Sequence, residues 1–234
     1  METQGKFAGK IVLVTGGSRG IGYATAAAFL AEGARVAICA LDGPRLAAAL
    51  EELGKLGEVA GWQADVSDFP AMQDLVRRTL ARFGRIDILV NNAGRLALAD
   101  FSTQDTASIH AILDTNVRGT LNATRAVLPH LLENDAGCVI NIASALGTYG
   151  MPRAVVYCAS KSAVIGFTAA LALELRDTGV RVYGIAPGMT ATDMQVQFSG
   201  YRQGLPPELV AEDILLLAGP NPPVRTGACL GADS

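Results

Sequence analysis

The stretch YCASK, residues 157–161, puts a phenol and an ammonium four positions apart. On a helix that interval places Tyr157 and Lys161 on one face, one turn from each other. A free phenol holds its proton to about pH 10, too high for easy base work near neutrality. A neighbouring ammonium favours the phenolate and is expected to lower that value. The pair therefore suits giving or taking a proton at a reacting oxygen. The plainer reading is a solvated helix face, and for so short a motif the rest of the chain has to decide.

Other polar stretches have chemistry of their own. In TGGSRGIG (15–22), Gly16, Gly20 and Gly22 fall at the spacing G-x-x-x-G-x-G. Glycines there allow a tight turn and a close approach of backbone to phosphate oxygens, and a helix N-terminus behind them favours a pyrophosphate. In ADVSD (64–68), Asp65 suits an adenine amino group; alternatively Asp65, Ser67 or Asp68 caps the next helix. NNAG (91–94) offers amides that fix turns, and Gly94 lets the chain pass close to a ligand. NIAS (141–144) ends on the hydroxyl of Ser144, and APGMTATDM (186–194) turns at Pro187-Gly188 before the hydroxyls of Thr190 and Thr192. His110 and His130 have no partner at metal-ligand spacing, so no metal site is expected.

These stretches need elements to position them. KIVLVTGG, RVAICA, EVAGWQADV, IDILVNNAG, GCVINIAS and VRVYGIAPG read as short buried strands, with the tail TGACLGADS as a last one. Helical segments lie between them, including a long one over 106–135 in two parts that meet near Gly119, and another over 155–177. Alternating strands and helices imply parallel strands joined by right-handed crossovers. The expectation is one doubly wound α/β domain of Rossmann type over 1–234, with about seven strands and helices on both faces. In such a sheet, ligands bind beyond the carboxyl ends of the strands, where all the polar stretches fall.

Composition narrows the partners. The 234 residues are half hydrophobic with a net charge of -3, so no basic field points to nucleic acid. No uninterrupted apolar run approaches the ~18 residues of a membrane span, and METQGKFAGK has no apolar signal core. Scattered cysteines (Cys39, Cys138, Cys158, Cys229) fit a reduced, cytoplasmic protein.

TGGSRGIG, ADV, NNAG, Asn116 in DTNVRG, Ser144, YCASK and PGMTATD together resemble the short-chain dehydrogenases/reductases, in the family's order and approximate spacing from residue 10 to 194. The nearest subgroup looks like the β-ketoacyl-reductase-type enzymes. The resemblance implies hydride transfer between a nicotinamide and a carbonyl or secondary alcohol, with Asn116, Ser144, Tyr157 and Lys161 as the catalytic set. Tyr157 would be the acid or base, Lys161 would tune it and hold the ribose hydroxyls, Ser144 would bond the substrate oxygen, and Asn116 would hold a water linking Lys161 to solvent. The cofactor would lie along Gly16, Ser18, Arg19, Gly20, Ile21, Gly22, Leu41, Asp65, Val66, Asn92, Ala93, Gly94, Tyr157, Lys161, Pro187, Gly188, Thr190 and Thr192. Leu146, Met151, Met189 and Met194 join Ser144 on the substrate side, with Arg153 solvated at the rim.

Three expectations go further. Relatives choose NAD with an acid at the end of the second strand; Ala40-Leu41 offers neither acid nor base, and Arg19 suits the extra phosphate of NADP, so NADP(H) is expected with NAD(H) usable. SAVIGFTAALALEL (162–175) has Glu174 as its only charge and is apolar nearly all round. The plainer explanation is cover from a neighbouring helix, for part of which the one over about 118–133 is available; the expectation is that both helices pair with another subunit in a homodimer or homotetramer. The rival readings are an NAD(H)-preferring alcohol dehydrogenase and a non-catalytic dinucleotide sensor; the intact four-residue set argues against the sensor. An enoyl reductase is a third, but such relatives separate Tyr and Lys by more than one turn.

Overall fold

The computed structural model describes residues 5–232, so Asp233 and Ser234 of the expected tail and the METQ of the start lie outside the described residues. Seven strands form one parallel sheet: β1 Ile11–Thr15, β2 Arg35–Ala40, β3 Val59–Gln63, β4 Ile88–Asn91, β5 Gly137–Ile142, β6 Val180–Ile185 and β7 Cys229–Leu230. Their order is β3-β2-β1-β4-β5-β6-β7. This is the expected doubly wound sheet. The chain winds outward one way from β1 and the other way from β4, so the crevice opens between those two strands.

Strand periodicity makes two cores from one sheet. Along β1, Val12 and Val14 join the layer that holds Phe29, Leu46 and Ile214, while Ile11 and Leu13 join the layer that holds Leu75, Val127 and Leu171. Both layers are sealed, which is why the strands read as continuous apolar runs. Over the first face lie α1 Gly20–Ala31, α2 Gly43–Leu53 and α8 Pro207–Ala218; over the second lie α3 Phe69–Phe83, α5 Gly119–Glu133 and α6 Val155–Glu174.

The long 106–135 segment is α4 Thr106–Leu113 followed by α5, joined by one π-helical turn, Asp114–Arg118. The break near Gly119 is therefore a widened turn in a continuous helix. Gly119 lets the start of α5 lie close against Val66, because a Cβ there would come within 2.5 Å of Val66 Cγ2.

Two helices went unforeseen. The seven residues of α7, Asp193–Ser199, are too few for a clear period. α8 opens on Pro206-Pro207, which reads as loop until Pro207 is seen at its first position, where a missing N–H costs nothing.

The helix over 155–177 meets α4, the 114–118 turn, β5 and β6. Its residues Ala159, Ser162, Ala163, Gly166, Ala169, Ala170 and Leu173 remain exposed. α5, available for part of that cover, packs chiefly on α3, the 114–118 turn and the strands, and leaves this stripe open. By length and composition α6 would also suffice to cross a membrane, but its inner face is packed core carrying the buried Tyr157 and Lys161.

Candidate active site

A cleft of about 1140 Å³ opens over the carboxyl ends of β1, β4, β5 and β6. All the predicted site residues line it except Gly22 and Asn116, which stand behind its wall.

The floor is the turn from β1 into α1. Gly16 has φ +66°, the left-handed region where a side chain is strained, and a Cβ there would press on Ala93 Cα at 2.9 Å. A Cβ on Gly22 would lie 2.3 Å from both Asn92 Nδ2 and Gly16 O, so only glycine fits the packing of the turn there. Asn92 Nδ2 donates to Thr15 O (2.9 Å) and Gly16 O (3.0 Å), and Thr15 Oγ1 accepts from Asn92 N and Ala93 N (3.1 Å each). These bonds stitch NNAG to the glycine turn. α1 itself starts with no side-chain cap and no acid in its first turn. Its leading N–H groups and positive dipole end thus face the cleft without a partner side chain, which fits the pyrophosphate of a dinucleotide.

The far wall comes from β5 and α6. Ser144 follows β5 and begins the short turn Ala145–Gly147, its Oγ accepting from Leu146 N at 3.2 Å. Its hydroxyl lies beside the hydroxyl of Tyr157. Burial pushes the Tyr157 phenol above its ordinary value, and Ser144 pulls part of the way back. Lys161 is buried one turn further on, with Nζ donating to Ile142 O at 2.7 Å and lying 5.8 Å from the Tyr157 ring centre. Burial brings its ammonium down to about 8. The expected lowering of Tyr157 by Lys161 does not show in this geometry: burial leads the shift upward, and the ammonium's hydrogen bond points to the end of β5.

Asn116 sits in the π turn, wholly buried. Its Oδ1 accepts from Arg95 N (2.7 Å), and its Nδ2 donates to Arg95 O (3.0 Å) and to Ser160 Oγ (2.9 Å). Ser160 in turn donates to Tyr157 O at 2.7 Å. Both amide hydrogens are spent, so Asn116 is first a brace between the loop after β4 and the turn that carries Tyr157. Only an Oδ1 lone pair is left to receive a water hydrogen.

The adenosine end is lined by Leu41, Asp65, Val66 and Arg19. Asp65 Oδ1 accepts from Ser67 N (2.8 Å) and Ser67 Oγ (2.7 Å), and α3 starts at Asp68 without a side-chain cap bond. The expected capping of α3 by one of these side chains does not occur. Arg19 and Arg45 both reach Asp193 Oδ2, at 3.2 and 3.1 Å. Arg153 is exposed beside Asp100 and outside the cleft wall, as its solvated reading expected. Leu146, Met151, Met189 and Met194 form the apolar side of the mouth.

Thr15, Ser160 and Asp193 are the polar residues that the sequence reading passed over. Thr15 and Ser160 lie inside the quoted TGGSRGIG and YCASK, but their partners are 77 and 44 residues away. Asp193 meets Arg19 across 174 residues. Only topology brings such pairs together.

A parallel doubly wound sheet with a pyrophosphate-suited helix end facing a buried Tyr–Lys–Ser corner defines an NAD(P)-dependent oxidoreductase. The short chain dehydrogenase model matches residues 10–202, and the chain belongs to that family. It is 34% identical over 237 residues to the 3-oxoacyl-[acyl-carrier-protein] reductase FabG of Thermotoga maritima, covering 96% of each chain. A short chain dehydrogenase from Burkholderia cenocepacia in complex with NADP superposes with a TM-score of 0.89 at 34% identity, over 98% of this chain and all of the other. The 3-ketoacyl-(acyl-carrier-protein) reductase of Brucella melitensis complexed with NADH gives 0.91 at 30% identity, over 97% and 99%.

Proposed function

We propose that the protein interconverts a ketone and its secondary alcohol, with NADP(H) as preferred cofactor and NAD(H) as a usable second, and that its substrate is of the 3-oxoacyl type. The observation that carries the reading is the Tyr157–Ser144 hydroxyl pair on the cleft wall with Lys161 buried behind it. When bound, the nicotinamide supplies the hydride to the carbonyl carbon or takes it back. The growing charge on the substrate oxygen then needs a proton and hydrogen bonds. Tyr157 gives that proton from its Oη, and Ser144 holds the oxygen through Oγ. Lys161 places a positive charge beneath both. Asn116, through Ser160, keeps the turn carrying Tyr157 in place. The first-turn N–H groups of α1 hold the pyrophosphate, and Arg19 meets the 2′-phosphate. The similarity to two ketoacyl reductases and the apolar mouth formed by Leu146, Met151, Met189 and Met194 support the substrate class.

The test is a paired NADPH and NADH screen over β-ketoacyl thioesters, simple ketones and secondary alcohols. Turnover is expected with thioesters and NADPH. No turnover in any combination would favour a non-catalytic sensor. Arg19→Ala is expected to raise KM for NADPH about tenfold, the scale of one charge-assisted hydrogen bond, and to leave KM for NADH nearly unchanged. A wild type that uses NADH more efficiently would favour the NAD(H)-preferring alternative.

The assembly is proposed as two-fold. The exposed stripe on α6, from Ala159 to Leu173, is apolar and carries no charge among its exposed residues before Glu174. A second copy of the same face would bury it, with Leu121 and Leu132 of α5 exposed as further contacts. Light scattering at micromolar concentration is expected to return a dimer or tetramer mass, and a monomer mass rules the pairing out.

A further inference from the structure

Asp193 opens α7 and is held by three guanidinium groups from three different parts of the chain. Arg19, in the glycine turn, reaches Oδ2 at 3.2 Å; Arg45, in the first turn of α2, reaches the same oxygen at 3.1 Å; Arg202, past the end of α7, reaches Oδ1 at 2.6 Å. Those arginines hold the carboxyl below its ordinary range against the burial that raises it. Each contact alone is a half-exposed ion pair of little worth to stability. Their convergence matters for another reason. Three cations surround one carboxylate, and Asp42, 3.9 Å from Arg45, is the other acid at the cluster. The cluster thus keeps a surplus of positive charge, and it lies at the adenosine end of the cleft, lined there by Arg19, Arg45 and Asp193.

We propose that Asp193 is a specificity-determining residue that competes with the 2′-phosphate of NADP(H) for Arg19 and Arg45, so that phosphate binding frees α7 from the cofactor side. The proposal rests on the NADP(H) reading above. A phosphate monoester carries close to two charges at neutral pH, against one on the carboxylate. It takes the same planar guanidinium groups and offers three acceptor oxygens in place of two. A dianion beside Asp193 is also repelled by it, so the carboxylate must give way or weaken the binding. The connection to the substrate side is short. Met194, on the apolar mouth, is the next residue, and a Cβ on Gly20 would touch Thr192 Cγ2 at 3.2 Å, so the glycine turn and the start of α7 already abut. Arg202 would keep its hold on Asp193 and on Ala191 O (3.4 Å), which gives the released carboxylate a place to stay.

Calorimetry with adenosine 2′,5′-bisphosphate and with 5′-AMP reads the phosphate alone. Asp193→Asn removes the charge and keeps the shape. It is expected to tighten the bisphosphate about five-fold, the low end of coupling between sites, and to leave 5′-AMP unchanged. Arg202→Gln leaves Asp193 wholly to the cofactor-side arginines and is expected to move bisphosphate affinity the opposite way. Hydrogen exchange of the amides of 193–196 in the wild type is expected to rise on adding the bisphosphate and not on adding 5′-AMP. Arg19-dependent bisphosphate binding that Asp193→Asn fails to tighten, or an α7 whose exchange ignores the phosphate, overturns the competition and leaves the cofactor reading intact. Equal binding of both ligands by the wild type, with no loss in Arg19→Ala, sinks the cofactor reading and the competition together.

Discussion

Tyr157→Phe is expected to lower kcat about 10²–10⁴-fold, the usual contribution of a positioned acid or base. The ring is buried, and phenylalanine keeps its packing while removing the only proton that faces Ser144. Loss of one hydroxyl costs about 1 kcal/mol of stability or less, too little to unfold the chain. Nucleotide binding should therefore survive, which a fluorescence titration with NADPH checks. Direction matters as well. Because burial holds the Tyr157 proton on, the phenol is ready to donate at neutral pH, so carbonyl reduction should run well there. Alcohol oxidation needs the phenolate and should accelerate as pH rises. A Tyr157→Phe variant with near-normal turnover would remove Tyr157 from the chemistry.

The parts of this site that could be read from the sequence share a physical basis. Tyr157 and Lys161 are neighbours along one helix, and Gly16 and Gly20 are neighbours along one turn, so local spacing already fixes their relation. The alternation of strands and helices fixed the sheet, because buried parallel strands such as Ile11–Thr15 announce themselves as unbroken apolar runs. What was misread involves partners far apart in the chain or the balance between two effects. The side chain that Gly22 must avoid belongs to Asn92, seventy residues on, which spacing within the turn does not reveal. Asp65, Ser67 and Asp68 each offered a cap for α3, but none caps it, and Asp65 turns back on Ser67. Lys161 looked like the group that acidifies Tyr157, but burial acts on both and prevails. Charge proximity follows from sequence spacing; desolvation depends on everything packed around the pair.

That desolvation makes Lys161 the residue where function and stability pull hardest in opposite directions. Lys161→Met keeps the buried stem and removes the charge, and kcat is expected to fall by at least the order of magnitudes given for an acid–base group. Stability should move the other way. In the folded chain the ammonium titrates at about 8 instead of 10.5, which corresponds to roughly 3 kcal/mol of burial cost at about 1.36 kcal/mol per pH unit. Methionine escapes that cost but leaves Ile142 O without the 2.7 Å charge-assisted bond, worth about 1.5–3 kcal/mol. The net expectation is a gain of about 1 kcal/mol at neutral pH, or about 3 °C in Tm for a chain of this size. The pH dependence gives the cause away. Below about 8 both folded and unfolded chains hold the proton, and the wild type bears the whole cost. Between about 8 and 10.5 only the unfolded chain holds it, so wild-type stability rises with pH. The gap between variant and wild type should therefore be widest below pH 8 and close towards 10.5. Thermal melts at pH 7 and pH 10 measure it; a variant less stable than the wild type at pH 7, or a gap that does not narrow, would show that the buried ammonium is not what the fold works against.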